Sequence, residues 1–295
     1  MATLSNILRD SLVKLGQLQV FTATGGTTET IVDSDLGGTD NDFVRGTMIV
    51  IRDAGGSSAA PENEFAEIIG YTSSTGTITG ASNAFTASPA SGDTYGISNG
   101  KDYPHQQMIE EVNIALQALS DIPLIDTSIT TAASQTEYAL PVALKRQPPY
   151  RVDLQMITTD SNNNQWKEID RGRWEYVPAV GGSTALLIIR DQLPIGRLFR
   201  IWYKHEHTSV RIYSDIIYEG IHPERLVWET VYQALLWKNG QQPGDEGIIA
   251  QLQNAENKRI DAAAEHTIWK PPRRSKLLIV KGAVEKDVFT VPGPP

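Results

Sequence analysis

The sequence predicts an α+β protein: a helical bundle, built from an N-terminal helix, a central helix and a C-terminal αα-hairpin, that carries two antiparallel β-sandwich or barrel inserts and ends in an extended C-terminal tail. Three observations predict it. Apolar residues recur at helical spacing in several separate stretches. Between them lie two long regions of short β-prone runs cut by Gly-, Ser- and Asn-rich turns. No helical stretch separates the strands of the first region, which excludes a parallel α/β arrangement.

Leu4, Ile7, Leu8, Leu12 and Leu15 form one stripe, and Gly16 follows where a C-terminal glycine belongs, so residues 3–15 are assigned to a helix. Nothing nearby in sequence can cover that stripe, so it must pack on something distant. In residues 19–100 the β-prone runs are Glu29–Val32, Thr47–Arg52, Phe65–Tyr71, Gly76–Thr79 and Thr94–Ile97. Pro104 sits where a first-turn proline is tolerated, and Met108, Ile109, Val112, Ala115, Leu116 and Leu119 make the stripe of a helix that Pro123 closes.

A second β region gives Tyr138–Leu140, Tyr150–Ile157, Gln165–Ile169, Trp174–Val177, Ala185–Arg190 and Leu198–His205 as strands. Leu193-Pro194-Ile195-Gly196 reads as a hairpin link between the last two. Phe199, Ile201 and Tyr203 alternate with Arg200, Trp202 and Lys204, as in a sheet with one buried face. Helical spacing returns at Pro223 with Leu226, Val227, Thr230, Val231, Ala234 and Leu235. Asp245 is a capping candidate for a second helix bearing Ile248, Ile249, Leu252, Ala255 and Ile260. The expected units are 1–18 (N-terminal helix), 19–100 (small antiparallel β module), 101–126 (central helix), 127–210 (second β-sandwich module), 211–269 (αα-hairpin) and 270–295 (tail).

Composition bounds the function. Of 295 residues, 40% are hydrophobic and 21% charged, a balance that supports a buried core rather than disorder. The absence of cysteine excludes disulfides and thiolate metal sites. Residues 1–18 carry Arg9 and Asp10 within a short apolar run and do not read as a signal peptide. No run approaches the roughly 20 apolar residues of a membrane span, so a soluble chain made in a cytoplasm is expected. With a formal net charge of −9 the chain lacks an overall basic footprint for phosphates, and any DNA it meets passes a surface that does not hold it.

Of the catalytic motifs, no phosphate-cradling Gly-rich loop ending in Lys-Ser/Thr and no His-Glu-x-x-His occurs, and no enzyme activity and no cofactor is expected. His205-Glu206-His207 on a strand offers two ligands on one face at best, and a solvated strand end is the plainer reading. Asp33, Asp35, Asp40 and Asp42 lack EF-hand spacing, since Gly37 and Val44 stand where ligands are needed, which leaves a loose calcium site against a solvated turn. Glu168, Asp170 and Glu175 surround Trp166 and Trp174, a sugar platform if exposed and sandwich core if not.

Val227-Trp228-Glu229-Thr230-Val231-Tyr232-Gln233-Ala234-Leu235-Leu236, then a polar turn, then Leu252-Gln253-Asn254-Ala255-Glu256, resembles the helical hairpin of head–tail connector (adaptor) proteins of tailed bacteriophages. Tyr138-Ala139-Leu140-Pro141, Leu193-Pro194-Ile195-Gly196-Arg197 and Gly92-Asp93-Thr94-Tyr95 are similar to segments of phage virion proteins. The resemblance implies a homo-oligomeric ring, dodecameric in that family. It would be synthesised in the host cytoplasm and seated in the neck between the portal protein and a tail, nozzle or terminator protein, with DNA passing through. Small connectors of this family usually lack two β inserts. A tail or baseplate protein that binds surface glycans is the alternative.

The tail carries the expected docking residues. Arg273, Arg274 and Lys276 can pair with acids of a receiving surface, and Leu277, Leu278, Ile279 and Val280 form a β-prone run suited to adding a strand to a neighbour's sheet edge.

Overall fold

The computed structural model describes residues 2–55, 59–119, 122–144, 148–156 and 165–268. These form fourteen strands and four helices, and the strands pair antiparallel in sheets of seven, four and three. The expected helical bundle with β inserts is thereby corrected to a mostly β, three-sheet protein with a helical layer. The physical reason lies in the cores. Two of the three buried apolar clusters are built by strands and their loops alone, so the sheets stand on their own packing rather than on a helical scaffold.

The seven-stranded sheet comprises β1 (Leu18–Thr22), β2 (Gly25–Thr27), β3 (Thr30–Val32), β4 (Thr47–Arg52), β5 (Phe65–Thr72), β6 (Thr77–Gly80) and β7 (Thr94–Ser98). Its order, β1-β7-β4-β5-β6-β3-β2, leaves two edges and does not close. Register shifts between Ile68 and Gly70 on β5 and between Val50 and Arg52 on β4 bend the sheet. One face curls around Ile31, Met48, Val50, Ile68, Ile78, Tyr95 and Ile97. The other face gives Ile49 and Phe65 to the helical core, so β4 is buried on both sides.

The helices are α1 (Leu4–Lys14), α2 (His105–Ala118), α3 (Pro223–Gln241) and α4 (Glu246–Glu265). Leu4, Ile7, Leu8 and Leu12 of α1 are fully buried against this layer, where the distant partner is α3. Every residue of the α2 and α3 stripes read from the sequence is buried. No helix among the described residues is long and apolar enough to cross a membrane.

His105 opens α2 at 4% exposure, with its Nδ1 2.9 Å from the Thr47 hydroxyl and its ring edge-on to Phe65. Burial pushes its pKa down from 6.5 to about 4, against a smaller upward pull from the Glu67 carboxylate. Between those values the unfolded chain binds the proton and the folded chain does not, so stability is present above pH 6.5 and falls as pH drops toward 4. The loss from this group is on the order of 3 kcal/mol. Urea melts at pH 7 and pH 4.5 should show it, and His105→Gln should flatten that part of the difference.

The remaining strands are β8 (Ile122–Asp126), β9 (Glu137–Ala139), β10 (Arg151–Met156), β11 (Gln165–Glu168), β12 (Trp174–Val177), β13 (Leu186–Ile189) and β14 (Phe199–His205). They form a four-stranded sheet, β11-β10-β14-β8, facing a three-stranded sheet, β12-β13-β9. Val152, Leu154, Phe199 and Ile201 of the first meet Tyr138, Trp174, Leu187 and Ile189 of the second. The expected hairpin at Leu193–Gly196 is not one. β13 and β14 lie in different sheets, and the loop crosses between them.

Candidate functional site

The αα-hairpin presents a long helix with little of its own surface buried. Asp245 caps α4, its carboxylate accepting from the amides of Gly247 at 2.8 Å and Ile248 at 3.2 Å. Only Ile248, Ala255 and Ala262 of the 20 residues of α4 are buried, a seam repeating every seventh position. Within that seam Arg259 donates to Glu229 at 3.4 Å and lies 4.2 Å over the Tyr232 ring. Ile249 and Ile260, expected on the buried stripe, instead face outward at 38% and 56% exposure. They are eleven positions apart, which returns them to one side of the helix.

The open end of the hairpin gathers three ligand-type side chains. His222 caps the start of α3, Glu224 lies in its first turn and His266 caps the end of α4. The antiparallel pairing of α3 and α4 brings these ends together. The two imidazoles stack at 3.6 Å between centroids and 17° between planes, and Nε2 of His266 is 3.2 Å from a Glu224 carboxylate oxygen. The His266 carbonyl accepts from Arg225 Nη1 at 3.0 Å, which fixes that end of α4.

The outer face of the four-stranded sheet carries a charged and aromatic cluster. Asp153 of β10 is fully buried and accepts from Arg151 Nε at 2.7 Å, from Arg200 Nη2 at 2.7 Å and Nε at 2.9 Å, and from Trp202 Nε1 at 2.9 Å. Register explains the convergence: Asp153 is opposite Arg200, and Arg151 is opposite Trp202. The Arg200 guanidinium lies 4.6 Å over Trp166 and 5.3 Å over Trp202. Beside Trp166 is an open depression of about 460 Å³ whose lining includes Gln165, Lys167 and Glu168.

The expected docking residues Arg273, Arg274, Lys276, Leu277, Leu278, Ile279 and Val280 lie outside the described residues. Asp33, Asp35, Asp40 and Asp42 do not converge as a cation site. Asp33 is buried and accepts from the Tyr95 hydroxyl at 2.9 Å. Asp40 accepts from the amide and hydroxyl of Ser73, and Asp42 from the Thr39 amide, contacts that hold both carboxyls below the usual pKa. Their work is to tie loops.

His207 has both ring nitrogens engaged, Nδ1 with the Thr208 carbonyl at 2.6 Å and Nε2 accepting from the Tyr218 amide at 3.0 Å. The Trp166/Trp174 platform is split. Trp174 is core, with Arg171 stacked 3.8 Å away, whereas Trp166 is on the outer face. Glu175 pairs with Arg190, Asp170 caps Gly172, and Glu168 lies 4.0 Å from Arg151.

Sequence reading missed both His222–Glu224–His266 and the Asp153 cluster. The first was accessible in principle: a two-helix hairpin sets the residue before its first helix beside the residue after its second. No protein-family model matches the chain, and no curated protein matches it either.

Proposed function

We propose that the protein is a non-enzymatic structural subunit of a tailed-phage particle, a ring component of the neck that joins the portal to the tail and lines the DNA channel. One observation carries the reading: only three of the 20 residues of α4 are buried, and Ile249 and Ile260 turn outward. An isolated subunit gains little from such a helix, while a ring subunit uses it as the heterologous surface its neighbour covers. The hairpin's resemblance to adaptor hairpins and the net charge of −9, which favours DNA sliding past, support the same reading.

On this reading the tail carries the attachment through Arg273, Arg274, Lys276 and the run 277–280. Deleting everything after Lys270 should leave the melting temperature nearly unchanged and abolish binding to portal-bearing heads. Mass photometry of heads mixed with full-length or truncated chain reads the difference. Full binding by the truncated chain would remove the docking role, and a stable monomer that ignores heads at full length would count against the neck itself.

A second reading, a tail or baseplate protein that binds surface glycans, is favoured by the half-exposed Trp166 ring and the polar groups beside it. Quenching of tryptophan fluorescence by cell-wall sugars, lost in Trp166→Ala, would support it over the ring.

A further inference from the structure

We propose that His222, Glu224 and His266 form a binding site for a divalent transition metal of the zinc type, a clasp across the open end of the αα-hairpin. The proposal stands independently of the ring reading. Among the described residues this is the group of three His, Asp or Glu side chains whose ligand atoms all lie within 4.8 Å of one another. Two imidazoles and one carboxylate are a donor set that zinc takes, with a fourth position left to water or to a carboxylate from outside. Hard cations such as magnesium and calcium prefer all-oxygen sites and are disfavoured here.

The geometry is close to what binding needs. Tetrahedral coordination with bonds near 2.0–2.1 Å places donor atoms about 3.3 Å apart, and His266 Nε2 and the Glu224 oxygen already stand at 3.2 Å. The stacked rings must turn out of parallel so that both lone pairs meet one ion. His222 and Glu224 are exposed and His266 is only half-buried, so that turn disturbs no packed core. Backbone placement is already set. His222 and Glu224 are fixed by the first turn of α3, and His266 by the end of α4 and the Arg225 bond to its carbonyl.

The other histidines compete poorly. His105 is buried against Thr47, and both nitrogens of His207 are engaged, which leaves His205 without a second free imidazole. A metal at the clasp would join residues 222 and 266 through side chains, stiffening the point from which the chain leaves the hairpin toward the tail. It would thus couple metal supply to the pairing of the α3 and α4 ends, beyond the Arg225 bond to the His266 carbonyl.

Isothermal titration of EDTA-treated full-length chain with zinc chloride tests the proposal. One equivalent is expected to bind in the micromolar range or tighter and to raise the melting temperature. His222→Ala/His266→Ala should weaken binding at least 100-fold, Glu224→Gln roughly tenfold, and His205→Ala/His207→Ala should leave it unchanged. Cobalt(II) absorption in the visible region should report tetrahedral nitrogen and oxygen ligation and vanish in the same double variant. All substituted side chains sit at the surface or half-buried, and circular dichroism checks that each variant folds. No binding at millimolar zinc overturns the site, as does binding that survives His222→Ala/His266→Ala or is lost in His205→Ala/His207→Ala.

Discussion

Replacing Asp153 with Ala should cost on the order of 3–5 kcal/mol, because it strands charged donors in a low-dielectric site rather than simply removing a favourable contact. The carboxylate is fully buried and is the common acceptor for Arg151, Arg200 and the Trp202 indole. Without it the two guanidinium groups on β10 and β14 lose their shared acceptor and keep the Trp202 ring, with Glu168 4.0 Å from Arg151 as the nearer remaining carboxylate. Asp153→Asn keeps an acceptor and the shape but loses the charge, and should fall between wild type and Asp153→Ala. Chemical melts of the three proteins check the ordering. A melting curve for Asp153→Ala that matches wild type would mean that the cluster is solvated and that the outer sheet face is not built around it.

Leu235→Asp should be more damaging still, enough to unfold the helical layer. Leu235 is buried in the apolar cluster that joins α1, α2 and α3, and the buried cation one turn on, Lys238, is already paired with Asp102 at 2.8 Å. An ionised group in that place costs many kcal/mol, and the chain escapes by protonating it or by opening the core. Leu235→Ala, which creates a cavity without a charge, should cost about 2–5 kcal/mol. Far-ultraviolet circular dichroism and thermal melts of both variants test the helix register. An unchanged melting temperature for Leu235→Asp would place the residue on the wrong side of α3.

The helices were the most legible part of the sequence, because stripes such as Met108, Ile109, Val112, Ala115 and Leu116 repeat at the α-helical period and all are buried. α4 was less so. Its apolar residues are spread around the helix, and the buried set is the seventh-position seam of Ile248, Ala255 and Ala262, two of them alanines that carry little pattern signal. Alternation likewise exposed β14, whose Phe199, Ile201 and Tyr203 face the sandwich core.

What periodicity could not give is partnership. Pairing is decided between strands far apart in sequence, so nothing in Leu193–Gly196 told a hairpin from a crossing between sheets. Three strands went unseen, and with them the weight of the β layers: β1 follows directly on a helix end, β2 is Gly-Gly-Thr, and β8 contains Pro123. That proline is tolerated because β8 is an edge strand. The candidate metal site was hidden for the same reason as the pairings. His222 and His266 become neighbours only after the hairpin closes.

The burial of α1 against α3 has a consequence for how the chain is made. Leu4, Ile7, Leu8 and Leu12 are synthesised well before the helix that covers them, which begins only at Pro223. At translation rates of about 5–20 residues per second the stripe waits roughly 10–40 s for its partner. β1 waits as well, since its hydrogen-bonding neighbour is β7, with Leu18 opposite Ser98. The α1 face therefore cannot finish packing until α3 is made, although the sheet core that follows it is complete within its own strands. Until then the four buried side chains of that helix face water, which makes α1 the last part of the N-terminal region to settle.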